Sequence, residues 1–418
     1  MDRRGPHPVL FAIMIAPYGA AFSYVSLAIP FLAVKHGVDA TAIGTVVALS
    51  FVPHTWKFLW APVVDITLTR KTWYWIALAL TCAGLVAASS IPISPSTLTL
   101  LTVVVIASQI GLTLLNMSVE SFLALAVPEG AKGRAAGWYT AGIFTGTAVG
   151  GWAFLRLAAA LPEGWMAGAV VGGLLLACGL PSLFLPMPPP AADHPRELGP
   201  AMRQLVRDLK ELVTTRIGLT GLIICLTPVG AGAFSNLINA VADRWGVVDP
   251  HRWTLLGIAW TPEDLVGLIN GVAAGLISAV GAMLGGWLAD RLPRRLNYAL
   301  AGSFTALTAV AMALAPRTPA TYVLFGLIYA FFVGVAYAAF SSFVLETIGK
   351  GAVATKYNIF ASLANVAITY VTYFDSQALR VWGTSGMLLT DAALTAGGIA
   401  VLLGIVVWSR SRLRSPAA

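Results

Sequence analysis

Four polar residues, His54, Lys57, Asn116 and Glu120, lie inside long apolar stretches of the sequence. Hydrocarbon penalises such groups, so each needs a partner, a cavity or a route to the interface. His54 and Lys57 are three residues apart and share a helical face. Lys57 is about 10 Å from the end of its stretch at roughly 1.5 Å per residue. It fits an anion contact for a solute, or a stem that snorkels to the surface. His54 is deeper, and fits a proton carrier or a partner for the carbonyl that Pro53 leaves unbonded. Glu120 follows Asn116 by one turn, and two roles fit it. It takes up a coupling proton, or it latches to the 65–71 loop as Glu346 would to the 290–295 loop.

Other polar residues gather around duplicated breaks. Pro17 and Gly19 recur as Pro228 and Gly230. Such a pair makes either a hinge facing a cavity or an ordinary packing kink. In the first reading Tyr18, Ser23 and Tyr24, with Ser235, Asn236 and Asn239, turn inward. Asn358, Asn365, Tyr370 and Tyr373 fit a polar cavity wall. Asp375 and Asp391 fall near the ends of their stretches, where solvation is the simpler reading. The same holds for Arg156 as a surface snorkel.

These residues need a membrane scaffold. The chain is 58% hydrophobic and 11% charged, with mean hydropathy +0.81, whereas soluble domains hold about 25% charged residues. About 12 stretches reach the roughly 20 apolar residues of a spanning helix. They run near 8–33, 40–64, 72–91, 96–127, 135–159, 163–186, 216–241, 264–289, 296–315, 320–346, 357–381 and 386–408. The pattern predicts an all-α membrane protein of twelve transmembrane helices in two pseudo-symmetric six-helix halves. The halves would be 1–186 and 215–418, joined by a cytoplasmic linker, 187–214. The linker reads as a proline stop followed by an amphipathic helix, with Leu205, Leu209 and Leu212 on one face.

The net charge of +8 does not indicate nucleic acid, because it is placed asymmetrically. With the N-terminus inside, the outer segments hold only Lys35, Arg244, Arg252, Arg317 and Arg380. That positive-inside bias puts both termini in the cytoplasm. The first stretch is expected to be a retained helix rather than a cleaved signal. Cys82, Cys178 and Cys225 show no metal-like spacing, so no metal or cofactor is expected. No nucleotide-binding P-loop is present in the sequence.

The halves repeat each other. APYGAAFSY at 16–24 answers TPVGAGAFSN at 227–236, and AKGRAAGWY at 131–139 answers GKGAVATKY at 349–357. WAPVVD at 60–65 answers GGWLAD at 285–290. GGWLADRLPRR at 285–295 resembles the loop signature of the major facilitator superfamily, with Asp290, Arg291, Arg294 and Arg295 in its charged positions. Asp65 and Arg70 stand in the first-half loop. The resemblance implies a solute carrier whose loops latch and release as the halves rock. GIFTGTAVGG at 142–151 resembles that superfamily's fifth-span antiporter motif, with Thr147 in place of its Pro, and also reads as a close-packing face.

WKFLWAPVVD at 56–65 is similar to a segment of the muropeptide permease and acetyl-CoA transporter group, which includes siderophore permeases. Lys57 and Asp65 match positions of that group; Ile66 stands where it has Arg, and Asn116 where it has an acid. This resemblance implies proton-coupled movement, read as symport, of a bulky, often acidic, amphipathic solute across a bacterial inner membrane; the protein is expected to work as a functional monomer in the lipid bilayer. A proton-driven drug or metabolite exporter is the alternative within the class. A polytopic membrane enzyme would need a catalytic cluster, and the outer segment 242–264 shows no recognised spacing. Its Trp245, Trp253 and Trp260 read as an interfacial loop.

Overall fold

A computed structural model describes residues 6–35, 38, 46–47, 49–185, 199–200, 202–203, 206–207, 210, 214–229, 237–247, 254–255, 258–259, 268–347 and 353–413. The chain is an all-helical membrane bundle, apart from a two-residue hairpin of β1 (Thr254–Leu255) and β2 (Ile258–Ala259). Helices dominate because a chain in lipid must bond its own backbone. The first crossing is α1 (Val9–Ser23), a π-helical turn Tyr24–Ala28, and α2 (Ile29–Lys35). The second is broken: α3 (Val52–Trp56), a 3-10 turn Lys57–Leu59, then α4 (Ala61–Ile66). Pro53 and Pro62 sit in the first turns of α3 and α4, where proline's missing N–H costs nothing.

The next crossings are α5 (Arg70–Ser90), α6 (Leu98–Ala126), α7 (Lys132–Ala160), and α8 (Gly164–Ala177) with α9 (Pro181–Phe184). The seventh crossing, expected as one helix over 216–241, includes α10 (Arg216–Leu226) and a 3-10 segment Ile238–Trp245, while 230–236 lie outside the described residues. Pro228 cannot bond the carbonyl of Ile224, and the Thr227 hydroxyl donates to it instead at 2.6 Å. A π-helical turn Leu268–Ala273 leads into α11 (Ala274–Ala289). Then come α12 (Arg294–Leu314), α13 (Pro319–Thr347) and α14 (Val353–Leu413). α14 makes two crossings, because Gly383 leaves the helical region at φ 68°. Only glycine takes up that left-handed conformation without strain. The amphipathic linker helix expected over 187–214 lies largely outside the described residues.

The repeat is visible in the bonding. Tyr74, five residues into α5, donates to the Met14 carbonyl of the first crossing at 3.0 Å. Tyr298, five residues into α12, donates to the Val229 carbonyl of the seventh at 2.5 Å. Each hydroxyl ties a proline-containing crossing to its neighbour, although Pro17 lies inside the continuous α1 while α10 ends before Pro228. The halves meet along two seams: α7 packs on α11, and the broken α3–α4 segment packs on the first limb of α14.

α1 and α7 pack almost backbone to backbone. A Cβ on Gly142, Gly146 or Gly150 would strike Ala12, Ala16 or Ala20. The small-residue face therefore serves close packing here. Gly146→Val is expected to destabilise the protein by about 1–3 kcal/mol or more through overpacking. Its apparent melting temperature in detergent should fall, while a Leu174→Val control on an exposed face should not shift it. Trp245 is fully buried beside Tyr322, at 6.0 Å between ring centroids, rather than sitting in an interfacial loop. Trp253 and Trp260 lie outside the described residues.

Candidate functional site

Gln109, Thr113, Asn116 and Glu120 follow one another on α6 at spacings of four, three and four, so they form one stripe. The stripe is buried and faces the broken second crossing. The 3-10 turn in that crossing aims Lys57 inward: its side chain is 5% exposed and its Nζ lies 3.9 Å from Glu120 Oε1. Lys57 therefore pairs with a carboxylate instead of snorkelling. Asn116 Nδ2 donates to Glu120 Oε1 at 2.9 Å. The Tyr139 hydroxyl on α7 reaches Asn116 Oδ1 at 2.5 Å and Glu120 Oε1 at 3.0 Å. Asn358, on the first limb of α14, approaches the same carboxyl from the opposite half. Glu120 Oε2 is buried and has no hydrogen-bond partner.

Deeper in the bundle, His54 bonds through both nitrogens. Nε2 lies 2.8 Å from Gln109 Oε1, and Nδ1 lies 3.2 Å from the Tyr18 hydroxyl. A carbonyl oxygen only accepts, so Nε2 carries the proton and Nδ1 accepts from Tyr18. His54 thus does not serve the carbonyl left open by Pro53. Trp60 Nε1 donates to Thr113 Oγ1 at 3.1 Å, tying the broken crossing to the same stripe.

A second cluster closes the end of the bundle that carries the basic loops. Asp290 Oδ1 accepts from the Gly133 N–H at 2.7 Å. Its Oδ2 accepts from the Arg134 N–H at 3.0 Å and from Arg134 Nε at 2.9 Å. Asp290 belongs to one half and α7 to the other, so the carboxylate caps the first turn of the facing half's helix. A Cβ on Gly133 would strike Asp290 Oδ1 and the Gly286 carbonyl, so only glycine admits this approach. Lys132 Nζ donates to the Leu345 carbonyl at 3.1 Å and to Glu129 Oε1 at 2.6 Å. Arg294 bonds the Glu129 carbonyl at 3.2 Å, the Ser342 carbonyl at 3.3 Å and Glu346 Oε2 at 3.4 Å.

The remaining expected residues fall differently. Glu120 pairs with Lys57 and not with the 65–71 loop, whereas Glu346 does reach its loop at Arg294. Asp65 lies 3.9 Å from Arg70. Arg291 stacks on Trp287 at 3.5 Å and Arg295 lies over Phe343 at 5.9 Å, both within their own half. Tyr24 packs on Phe154 in the core. Tyr370 donates to the Leu226 carbonyl at the end of α10, at 2.8 Å. Asn365 is half-buried. Asn236 and the side chain of Asn239 lie outside the described residues. Asp375 and Asp391, expected in solvent, are buried at 0% and 1% exposure. Sequence reasoning missed Gln109, although the four-three-four spacing of the α6 stripe carried that signal.

Two repeated six-helix halves meet with a buried charged pair beside one seam and the Asp290 contact across the other, an arrangement that suits a membrane carrier. The family model for the Major Facilitator Superfamily matches residues 9–372. The chain belongs to that superfamily. A structure of the human organic anion transporter TETRAN superposes with a TM-score of 0.69 at 14% identity, covering 94% of this chain and 99% of that one. The E. coli fucose:proton symporter FucP superposes with a TM-score of 0.69 at 14% identity, covering 97% and 98%. A further FucP structure, in the outward conformation, gives 0.66 at 15% identity, covering 98% and 99%. These likenesses show the shared fold. No curated protein sequence matches the chain.

Proposed function

We propose that this carrier couples protons to the movement of a bulky anionic or amphipathic solute, and that Lys57 and Glu120 are the coupled pair. The observation that carries this reading is the buried Lys57–Glu120 contact, with Glu120 Oε2 left unbonded. A proton on Oε2 cancels the charge that holds Lys57. The freed ammonium then offers its charge to an anionic group of the solute, between the halves. Asn116, Tyr139 and Asn358 keep the carboxyl in place in either protonation state, because amides and hydroxyls both donate and accept. Tyr18 and His54 form an adjoining polar wall. Two proteins of the same fold, the organic anion transporter and the fucose:proton symporter, each carry one of the two properties combined here.

The units that rock are 1–186 and 215–418, with 187–214 between them, and the chain acts as a monomer with both termini in the cytoplasm of a bacterium, in its inner membrane. The Asp290 latch then lies at the cytoplasmic face. The similarity of 56–65 to muropeptide permeases and acetyl-CoA transporters supports a solute of that chemical kind.

Purified protein in vesicles loaded with a pH-sensitive dye tests the reading. Anhydromuropeptide, a ferric siderophore and acetyl-CoA are added in turn, with protein-free vesicles as control. Proton entry driven by one of them is expected. Solute movement without proton movement would overturn coupling, and accumulation only against an opposing proton gradient would make the protein an exporter.

A further inference from the structure

Asp375 and Asp391 lie on the two limbs of α14, on either side of the Gly383 break. Both are fully buried. The carboxyls of Asp375 and Asp391 interact with each other. The Tyr329 hydroxyl on α13 donates to Asp391 Oδ2 at 2.6 Å. Neither oxygen of Asp375 has a hydrogen-bond partner of normal geometry.

Among the described residues no ion pair reaches either aspartate. Arg244 is turned to the Thr384 hydroxyl at 3.3 Å, and Arg317 to the Ser385 hydroxyl at 3.1 Å. Arg380 is exposed, as is Tyr373 on the same limb. The half of α12 nearest Arg317 carries no charged residue, α10 holds Cys225 and, at its first residue, Arg216, and α13 adds Tyr322 and Tyr337 to Tyr329, with Glu346 at its far end paired to Arg294. The side chain of Asp243 lies outside the described residues. Two ionised carboxylates cannot share such a place: each loses several kcal/mol of hydration, and they repel each other. A divalent cation would need about 6–8 oxygen ligands, and among the described residues the hydroxyl bonded to the pair is that of Tyr329.

We propose that Asp375 and Asp391 form a proton-binding site of their own, one proton shared between two carboxyls near the end of the bundle opposite the Asp290 latch. Binding converts one carboxylate to a carboxylic acid, whose O–H donates to its partner; release leaves two like charges that push the limbs of α14 apart. The site is separate from Glu120, where a lysine supplies the opposing charge. It does not depend on the role proposed for Glu120, because it binds its proton without solute.

Infrared difference spectra of the purified full-length protein, cycled between acidic and alkaline buffer without solute, test this. A protonated-carboxyl stretch that shifts in heavy water is expected. Asp375→Asn and Asp391→Asn should each abolish the same band, and Glu120→Gln should leave it. The amide can donate to the remaining carboxylate, so these variants retain a bond across the pair. Tyr329→Phe keeps both carboxyls and should shift the band without removing it, which gives a readout if either Asn variant fails to fold. Survival of the band in both Asn variants, or an unmoved band in Tyr329→Phe, would overturn the proposal. Loss of the band on adding sodium or calcium at constant pH would overturn it in favour of a metal cation.

Discussion

Asp290→Ala is expected to open the basic end of the bundle. The variant deletes the acceptor for the Gly133 and Arg134 N–H groups and for Arg134 Nε. Hydrogen bonds to a charged group contribute about 1.5–3 kcal/mol. Loss of even one such bond's worth moves the balance between closed and open states by roughly 10–150-fold. Arg134→Ala removes only the half-exposed ion pair and leaves both backbone caps, so its effect should stay near about 0–1 kcal/mol. Spin labels at Gly130→Cys and Arg291→Cys would report the distance across the latch, since both positions are exposed and Gly130 has open space around it. A long-distance population should grow in Asp290→Ala. An unchanged distribution, or an equal change in Arg134→Ala, would show that the helix cap does not hold this end shut.

The second large effect belongs to the Lys57–Glu120 pair. Removing one member of a buried ion pair leaves an uncompensated charge and costs about 3–5 kcal/mol. Lys57→Met should therefore lower thermal stability strongly, and Glu120→Gln should do the same to a lesser degree, because the amide still bonds Asn116 and Tyr139. Combining Lys57→Met with Glu120→Gln should recover much of the loss, since no charge is then stranded. Transport should follow a different rule. Glu120→Gln should abolish proton-driven accumulation yet keep downhill exchange of solute, while the double variant should recover stability but not driven uptake. Melting curves and paired vesicle assays of driven uptake and exchange would separate these outcomes. Normal driven uptake in Glu120→Gln would rule the residue out of coupling. Loss of both activities, together with an opened basic end, would return Glu120 to the latch.

The two effects differ in kind because the environments differ. At Asp290, two of the carboxylate's partners are backbone N–H groups that water can also serve, so the contact is breakable. At the pair, both charges are buried and lie 3.9 Å apart, so removing either one strands the other away from solvent.

Apolar runs of spanning length, the charge asymmetry and the duplicated Pro–Gly breaks made the membrane class and the two-half plan legible from the residues alone, because lipid leaves few ways to satisfy a backbone. The intramembrane charges at Lys57 and Glu120 were legible for the same reason: their placement is costly wherever they point. What those charges meet was decided only by the fold. Near-equal spacing set Glu120 beside Glu346 as a latch partner, but the 3-10 turn at Lys57–Leu59 rotates the lysine onto Glu120. The loop motif marked Asp290, yet its partners come from the other half of the chain, 157 positions away at Gly133. Asp375 and Asp391 read as solvated because they stand near the ends of apolar runs; the turn at Gly383 folds one limb back on the other and buries both. Local pattern reports the solvent that a segment needs, whereas the pairing of side chains depends on how distant helices approach, and that is a property of the assembled bundle.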